Sequence, residues 1–290
     1  MDIVKNIKKD DVLRNSFFEL AHDTFGIDFR EWYKLELWNK NYKTYCIKDG
    51  NKIISNVSVN PMKAIINGEI KKIAQIGTVM TDKDHRKEGL SRRLMEEVLN
   101  KYRNKTDLIY LFPNESVMKF YPKFGFKKGI DNIFIYYPER IKNSNTKLIR
   151  MNIRNTKDRN LLRKLFNSRI PNSNIFHLID YWHVFGFYLV FDPPGGIYFD
   201  KDTNTVLVYK YKEGVLHLFD VLMQKRLTFK QLISITGIED IKEVRFYFRP
   251  EFDDIDEKDY ELKFNEDVFV DRRILFTKDS DSCHNAMGHA

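Results

Sequence analysis

The sequence predicts an α/β (α+β) fold on a mostly antiparallel sheet flanked by helices, followed by a second, degenerate copy of the same unit. Three observations carry this reading. Residues 1–140 run in the order strand, two helices, three strands, helix, strand, helix, strand. The middle of that order, three strands, a helix, a strand and a late strand, returns from "GGIYFD" onward as a weak internal duplication. Between them "PERIKNSNTKLIR" is polar and reads as a connector. We therefore expect units at 1–140 and 151–290, a linker at 141–150, and an irregular tail in "TKDSDSCHNAMGHA".

Each element has its own signal. "MDIVKNI" reads as a first strand. In "DDVLRNSFFELAHDTFG", Val12, Leu13, Phe17, Leu20, Ala21 and Phe25 fall on one side of a helix that Gly26 can end. "DFREWYKLELWNK" is a short second helix with Asp28 as its N-cap. Two strands follow around a turn at "KDGN", and Asn67-Gly68 turns the chain again into the buried strand "KKIAQIGTVMT". Leu90, Leu94, Val98 and Tyr102 repeat at four-residue steps in the next helix. "DLIYLF" is a strand, "NESVMKFYPKFGF" a short helix ending near Gly125, and "DNIFIYYPER" a strand expected to close the first unit. In the second half, "KDTN" and "KEG" separate three strands, "LTFKQLISITG" is a helix, and "EVRFYFRPEF" and "DVFVDRRILF" are strands.

Composition limits the function classes. Charged residues make up 31% and hydrophobic residues 42% of the 290, as in a globular protein. No apolar run approaches a membrane span, and the N-terminus has no apolar signal region, so the expectation is a cytoplasmic protein without membrane contact. Cys46 and Cys283 lack metal-ligand spacing and read as free thiols; no metal is expected. Residues 1–150 carry 29 Lys and Arg against 19 Asp and Glu, whereas residues 151–290 carry 20 against 22. Any anion partner therefore belongs to the first half.

The stretch "TDKDHRKEGLSRRLMEEVL" leads from a strand through Gly89 into an amphipathic helix. Exposed N–H groups at a helix start, a glycine that permits close approach, and Arg86, Lys87, Arg92 and Arg93 nearby suit a pyrophosphate. Taken alone, the same residues serve as a helix start with solvated charges. The segment is neither a Walker loop nor a dinucleotide fingerprint.

"RKEGLS" (86–91) resembles the acyl-CoA signature of the GCN5-related N-acetyltransferase (GNAT) superfamily, Arg/Gln-x-x-Gly-x-Gly/Ala, with Ser91 in the last small position. "IGTVMTDKDHR" is similar to the family's fourth strand and its exit. About 25 residues downstream, Asn114, Phe120, Tyr121, Gly125 and Phe126 resemble its second signature. The tandem layout looks closest to the enhanced-intracellular-survival type, though this chain is shorter and its second half does not match their tail domain.

The resemblance implies transfer of an acetyl group from acetyl-CoA to a primary amine of a small molecule by direct attack. It implies that backbone groups near Val79 and Thr81 hold the pantetheine arm, with an N–H there polarising the thioester carbonyl. Amides from Arg86 through Lys87, Glu88, Gly89 and Leu90 to Ser91 would hold the pyrophosphate, and Asn114 the cofactor arm unless it is a plain N-cap. Tyr121 matches the family's general acid; without the match it reads as a packing tyrosine. The fourth strand offers Gln75 and Thr78 but no carboxylate for a base. Trp32, Glu36 and the C-terminal carboxylate of Ala290 are the substrate-side candidates. Two other functions compete: a non-catalytic acyl-CoA sensor, which the missing carboxylate favours, and an aminoacyl transferase using tRNA. No basic block extends beyond the loop, which argues against nucleic acid.

Overall fold

A computed structural model describes residues 2–129, 131–139, 147–191, 195–265 and 268–272. The first half supplies β1 (Ile3–Lys5), α1 (Asp11–Phe25), α2 (Phe29–Lys34), β2 (Lys43–Asp49), β3 (Lys52–Ile66), β4 (Glu69–Thr81), α3 (Leu90–Tyr102), β5 (Leu108–Leu111), β6 (Lys127–Lys128) and β7 (Asp131–Tyr136). The Asp10 carboxylate accepts from the Val12 and Leu13 amides and starts α1, which ends at Gly26 with φ 71°. Its buried face differs from the expected one at both ends: Val12 is 54% and Phe25 37% exposed, while Phe18 is buried. Asp28 caps α2 through the Arg30 amide. Asn67 and Gly68, both left-handed, join β3 to β4 as the sequence predicts. In place of a helix across 114–126 there are two short 3-10 turns, Glu115–Val117 and Tyr121–Phe124.

The second half supplies β8 (Ile149–Met151), α4 (Thr156–Ser168), β9 (Phe176–Leu178), α5 (Trp182–Phe191), β10 (Gly196–Asp200), β11 (Thr205–Lys212), β12 (Val215–Leu222), α6 (Phe229–Ser234), β13 (Glu243–Phe246), β14 (Glu261–Asn265) and β15 (Phe269–Arg272). β8 thus begins inside the stretch expected to be linker. The strands form two sheets, β1-β2-β3-β4-β5-β15-β6, with β9 also on β3, and β14-β7-β13-β12-β11-β10-β8.

The two orders correspond position by position. In each, the strand before the central helix pairs in parallel with the strand after it, β4 with β5 and β12 with β13, while neighbouring pairs are antiparallel. The next place is filled from the other half. β7, expected to close the first unit, instead lies between β13 and β14. β15, from the end of the second half, lies between β5 and β6. Arg103 Nε donates to Asp271 at 2.7 Å, tying α3 to the incoming strand.

Alternation along the strands puts one face of each sheet under its own helix. α3 packs Leu90, Leu94, Met95 and Val98 on the first sheet, and α6 packs Phe229, Leu232 and Ile233 on the second. The opposite faces share a single core with α1, α2, α4 and α5. α5, "WHVFGFYLVF", is apolar all round, as a helix enclosed on every side can be. It approaches the first half closely: a Cβ on Gly186 would lie 2.6 Å from Leu37 Cδ2.

Because Phe269 completes the core under α3, Phe269→Ala should lower unfolding stability by about 3–5 kcal/mol. In urea titrations the melting of the first half should shift with it; an unmoved transition there would show that β15 does not belong to that sheet.

Candidate active site

β4 and β5 part company. Their pairing ends at Ile76–Leu111, but β4 continues on β3 to Thr81. Just beyond the split, β4 carries one residue more than β3 between the pairs Ser58–Gly77 and Asn56–Met80. This bulge bends the strand. Within it Thr78 has φ 50°, a left-handed conformation that a β-branched residue adopts only under constraint. The constraint is visible. Buried Asn56 donates from Nδ2 to Thr78 O at 2.8 Å, and the Tyr42 hydroxyl meets Thr78 Oγ1 at 2.7 Å. Ser58 Oγ in turn donates to Tyr42 at 2.9 Å.

A cavity of about 660 Å³ opens where the strands part. One wall is Ile76 to Thr81; another is Phe112, Asn114, Val117, Phe120 and Tyr121 from the segment after β5. Phe25, Ile27, Phe29, Trp32, His183, Val184 and Phe187, from α1, α2, the loop between them and α5, form the far end. Arg86 and Ser91 stand at the near end.

Of the residues predicted from sequence, the structure brings Trp32, Val79, Thr81, Arg86, Ser91, Asn114 and Tyr121 onto this one cavity. Lys87, Glu88 and Gly89 lie exposed in the adjoining loop, where Glu88 meets His85 Nδ1 at 3.2 Å, and Leu90 turns inward to the core. Glu36 is exposed and outside the cavity wall. Ala290, like Cys283, lies outside the described residues. Asn114 makes no side-chain cap; its Oδ1 accepts from Ser116 Oγ at 2.7 Å.

The start of α3 is open. Gly89, its N-cap, has φ 78°, no side chain caps the first turn, and that turn contains no acid. A Cβ on Gly89 would meet nothing within 4 Å. Lys87 is also left-handed, at φ 69°; backbone of this kind forms anion-binding concavities. Ser91 Oγ meets Thr81 Oγ1 at 2.6 Å, fastening the helix start to the end of β4. The corresponding junction in the second half is filled. Thr228 and Gln231 form a capping box on α6, and the Asp254 carboxylate accepts from the Phe229 and Lys230 amides at 2.6 and 3.0 Å. β12 repeats the bulge at Phe219, but there Phe219 stacks on Tyr247 at 4.6 Å.

Tyr121 is 5% exposed among Phe120, Phe126 and Phe269, and burial pushes its phenol up to about 12. His183 is the residue that sequence reading missed. It lies at the start of an uninterrupted apolar helix in the other half, with no motif around it. It is fully buried; its ring nitrogen Nε2 meets Asn60 Oδ1 at 3.0 Å, and Asn60 Nδ2 donates to Gln75 at 3.2 Å. Nδ1 has no partner. Burial lowers its pKa to about 3, so the ring is neutral near pH 7. Its backbone carbonyl accepts from Trp32 Nε1 at 3.0 Å.

Residues 4–129 match the model of the acetyltransferase (GNAT) domain. The whole-chain architecture recurs in solved structures. A probable N-acyltransferase of unknown function from Enterococcus faecalis superposes with a TM-score of 0.62 at 16% identity, covering 93% of this chain and 71% of that one. A GCN5-related N-acetyltransferase from Kribbella flavida gives 0.55 at 14% identity, with 93% and 71% covered. Eis1 from Mycobacterium abscessus gives 0.53 at 10%, with 93% and 72% covered. At these identities the likeness is one of fold. No curated protein matches the sequence. Among the described residues no helix is long and apolar enough to cross a membrane, and no cluster of potential metal ligands occurs.

The buried histidines set a pH dependence. Unfolded His183 and His177 protonate near the ordinary value of 6.5, whereas burial holds both at about 3 in the fold. A depressed folded pKa gives stability that is present above 6.5 and lost as pH falls toward 3. Unfolding free energy should therefore decline below about pH 6.5, and less steeply in His183→Gln. A profile identical in the variant would contradict a neutral buried His183.

Proposed function

We propose that this protein is an N-acetyltransferase that moves an acetyl group from acetyl-CoA to a primary amine of a small molecule. The observation that carries the reading is the single cavity connecting an uncapped, glycine-started, acid-free helix terminus to Tyr121. The N–H groups of that terminus and the positive end of its dipole suit a pyrophosphate, with Arg86 and Lys87 adding charge. Backbone groups of Val79 and Thr81, left without a β5 partner, align the pantetheine arm in this reading, and Asn114 borders the same cavity. Acetyl-CoA supplies the thioester acyl carbon.

The chain's own residues then have three tasks. The bulge at Thr78 holds the β4 backbone away from β5. The aromatic far end excludes water from the acceptor. Tyr121 holds a proton for the departing sulfur, and its raised pKa keeps that proton in place through the neutral range. The nitrogen–carbon bond forms and the carbon–sulfur bond breaks. The sulfur takes the tyrosyl proton, and the proton released by the amine restores it. We assign the catalytic unit to residues 1–140 completed by β15, and the second half to a degenerate GNAT-like domain that walls the acceptor side with α5.

Thiol release with acetyl-CoA tests the reading. Tyr121→Phe should lower kcat by about 10²–10⁴-fold with little change in CoA affinity. Gly89→Glu should abolish CoA binding while the protein stays folded, since the added side chain has space but brings negative charge. Gly89→Asn, which tolerates the left-handed backbone, should keep CoA binding. CoA binding without turnover on any amine would favour an acyl-CoA sensor instead.

A further inference from the structure

We infer that the acceptor is an amine on an aromatic or apolar body carrying no second positive charge, an arylalkylamine type rather than a polyamine or other polycation. This rests on the acetyltransferase reading and names the substrate class of the same site. Among the described residues lining the cavity there is no carboxylate, and the one charged side chain, Arg86, is itself positive. The far end is built of rings: Trp32 lies 5.7 Å from Phe29 and 6.3 Å from Phe187, with Phe29 and Phe187 at 5.4 Å. Such walls accept one flat apolar group and at most one cation over a ring face. Several buried ammonium groups would each lose hydration with no anion among the described lining residues to answer them.

The same apolar walls also act on the amine's protonation state. An amine surrounded by rings is favoured as its free base, the form that attacks, because burial disfavours the ammonium.

The test is calorimetric titration of the full chain with phenethylamine and with spermidine, each with and without saturating coenzyme A. Because no turnover is read, failure of coenzyme A to bind counts against the acetyltransferase reading while the amine preference stays measurable. Phenethylamine should bind at least about tenfold more tightly than spermidine. Phe25→Asp, at the rim where Phe25 is 37% exposed, should narrow that ratio by about tenfold. Phe187→Asp should do the same deeper in, with circular dichroism checking each variant's fold. Spermidine binding as tightly as phenethylamine, or no binding of either, would overturn the inference. So would decanoyl-CoA that displaces phenethylamine and binds more than about tenfold tighter than acetyl-CoA, which would assign the rings to the acyl chain.

Discussion

The site depends on one constraint: β4 must go on after β5 has turned away. The extra residue at the bulge, and the left-handed Thr78 within it, produce that separation. Neither is a low-energy choice for a β-branched residue, so the surroundings must impose it. Asn56, Ser58 and Tyr42 do so through a chain of hydrogen bonds anchored in β3 and in the residue that precedes β2. Unpaired strand backbone, helix terminus and cavity all follow from this local departure from regular pairing.

The second half shows what the same fold does when the opening is closed. It keeps the parallel pair, the intervening helix and the bulge. Yet Phe219 and Tyr247 fill the space beside the bulge, and Asp254 and Thr228 occupy the amides at the helix start. At that terminus the protein's own Asp254 carboxylate takes the amides. What the second half gives the first is α5, which brings His183 and Phe187 to the cavity, and β15, which sets Phe269 beside Tyr121. The exchange of β7 and β15 makes each sheet incomplete without the other half.

Much of this was legible in the sequence because it is local. The turns at Asn67-Gly68 and "KDGN", the Asp28 cap and the amphipathic helix from Leu90 each depend on a few adjacent residues. The open loop at Arg86–Ser91 and the tyrosine at 121 carried motif-level signals for the same reason. Strand exchange was not legible: "DNIFIYYPER" and "DVFVDRRILF" have ordinary strand patterns, and nothing in their alternation says which sheet takes them. α5 carried no periodicity because it is apolar all round, packed in the core on most of its faces and bordering the cavity on another, so His183 had no context. Glu36 looked like a pocket acid from its place beside Trp38, but a left-handed backbone at φ 60° turns it to the surface.

The most direct measurement of the account is the stoichiometry of coenzyme A binding to the intact chain. Two topologically equivalent junctions are present, one open at Gly89 and one filled by Asp254. The account predicts saturation at one molecule per chain. Two molecules per chain, or none, would contradict it.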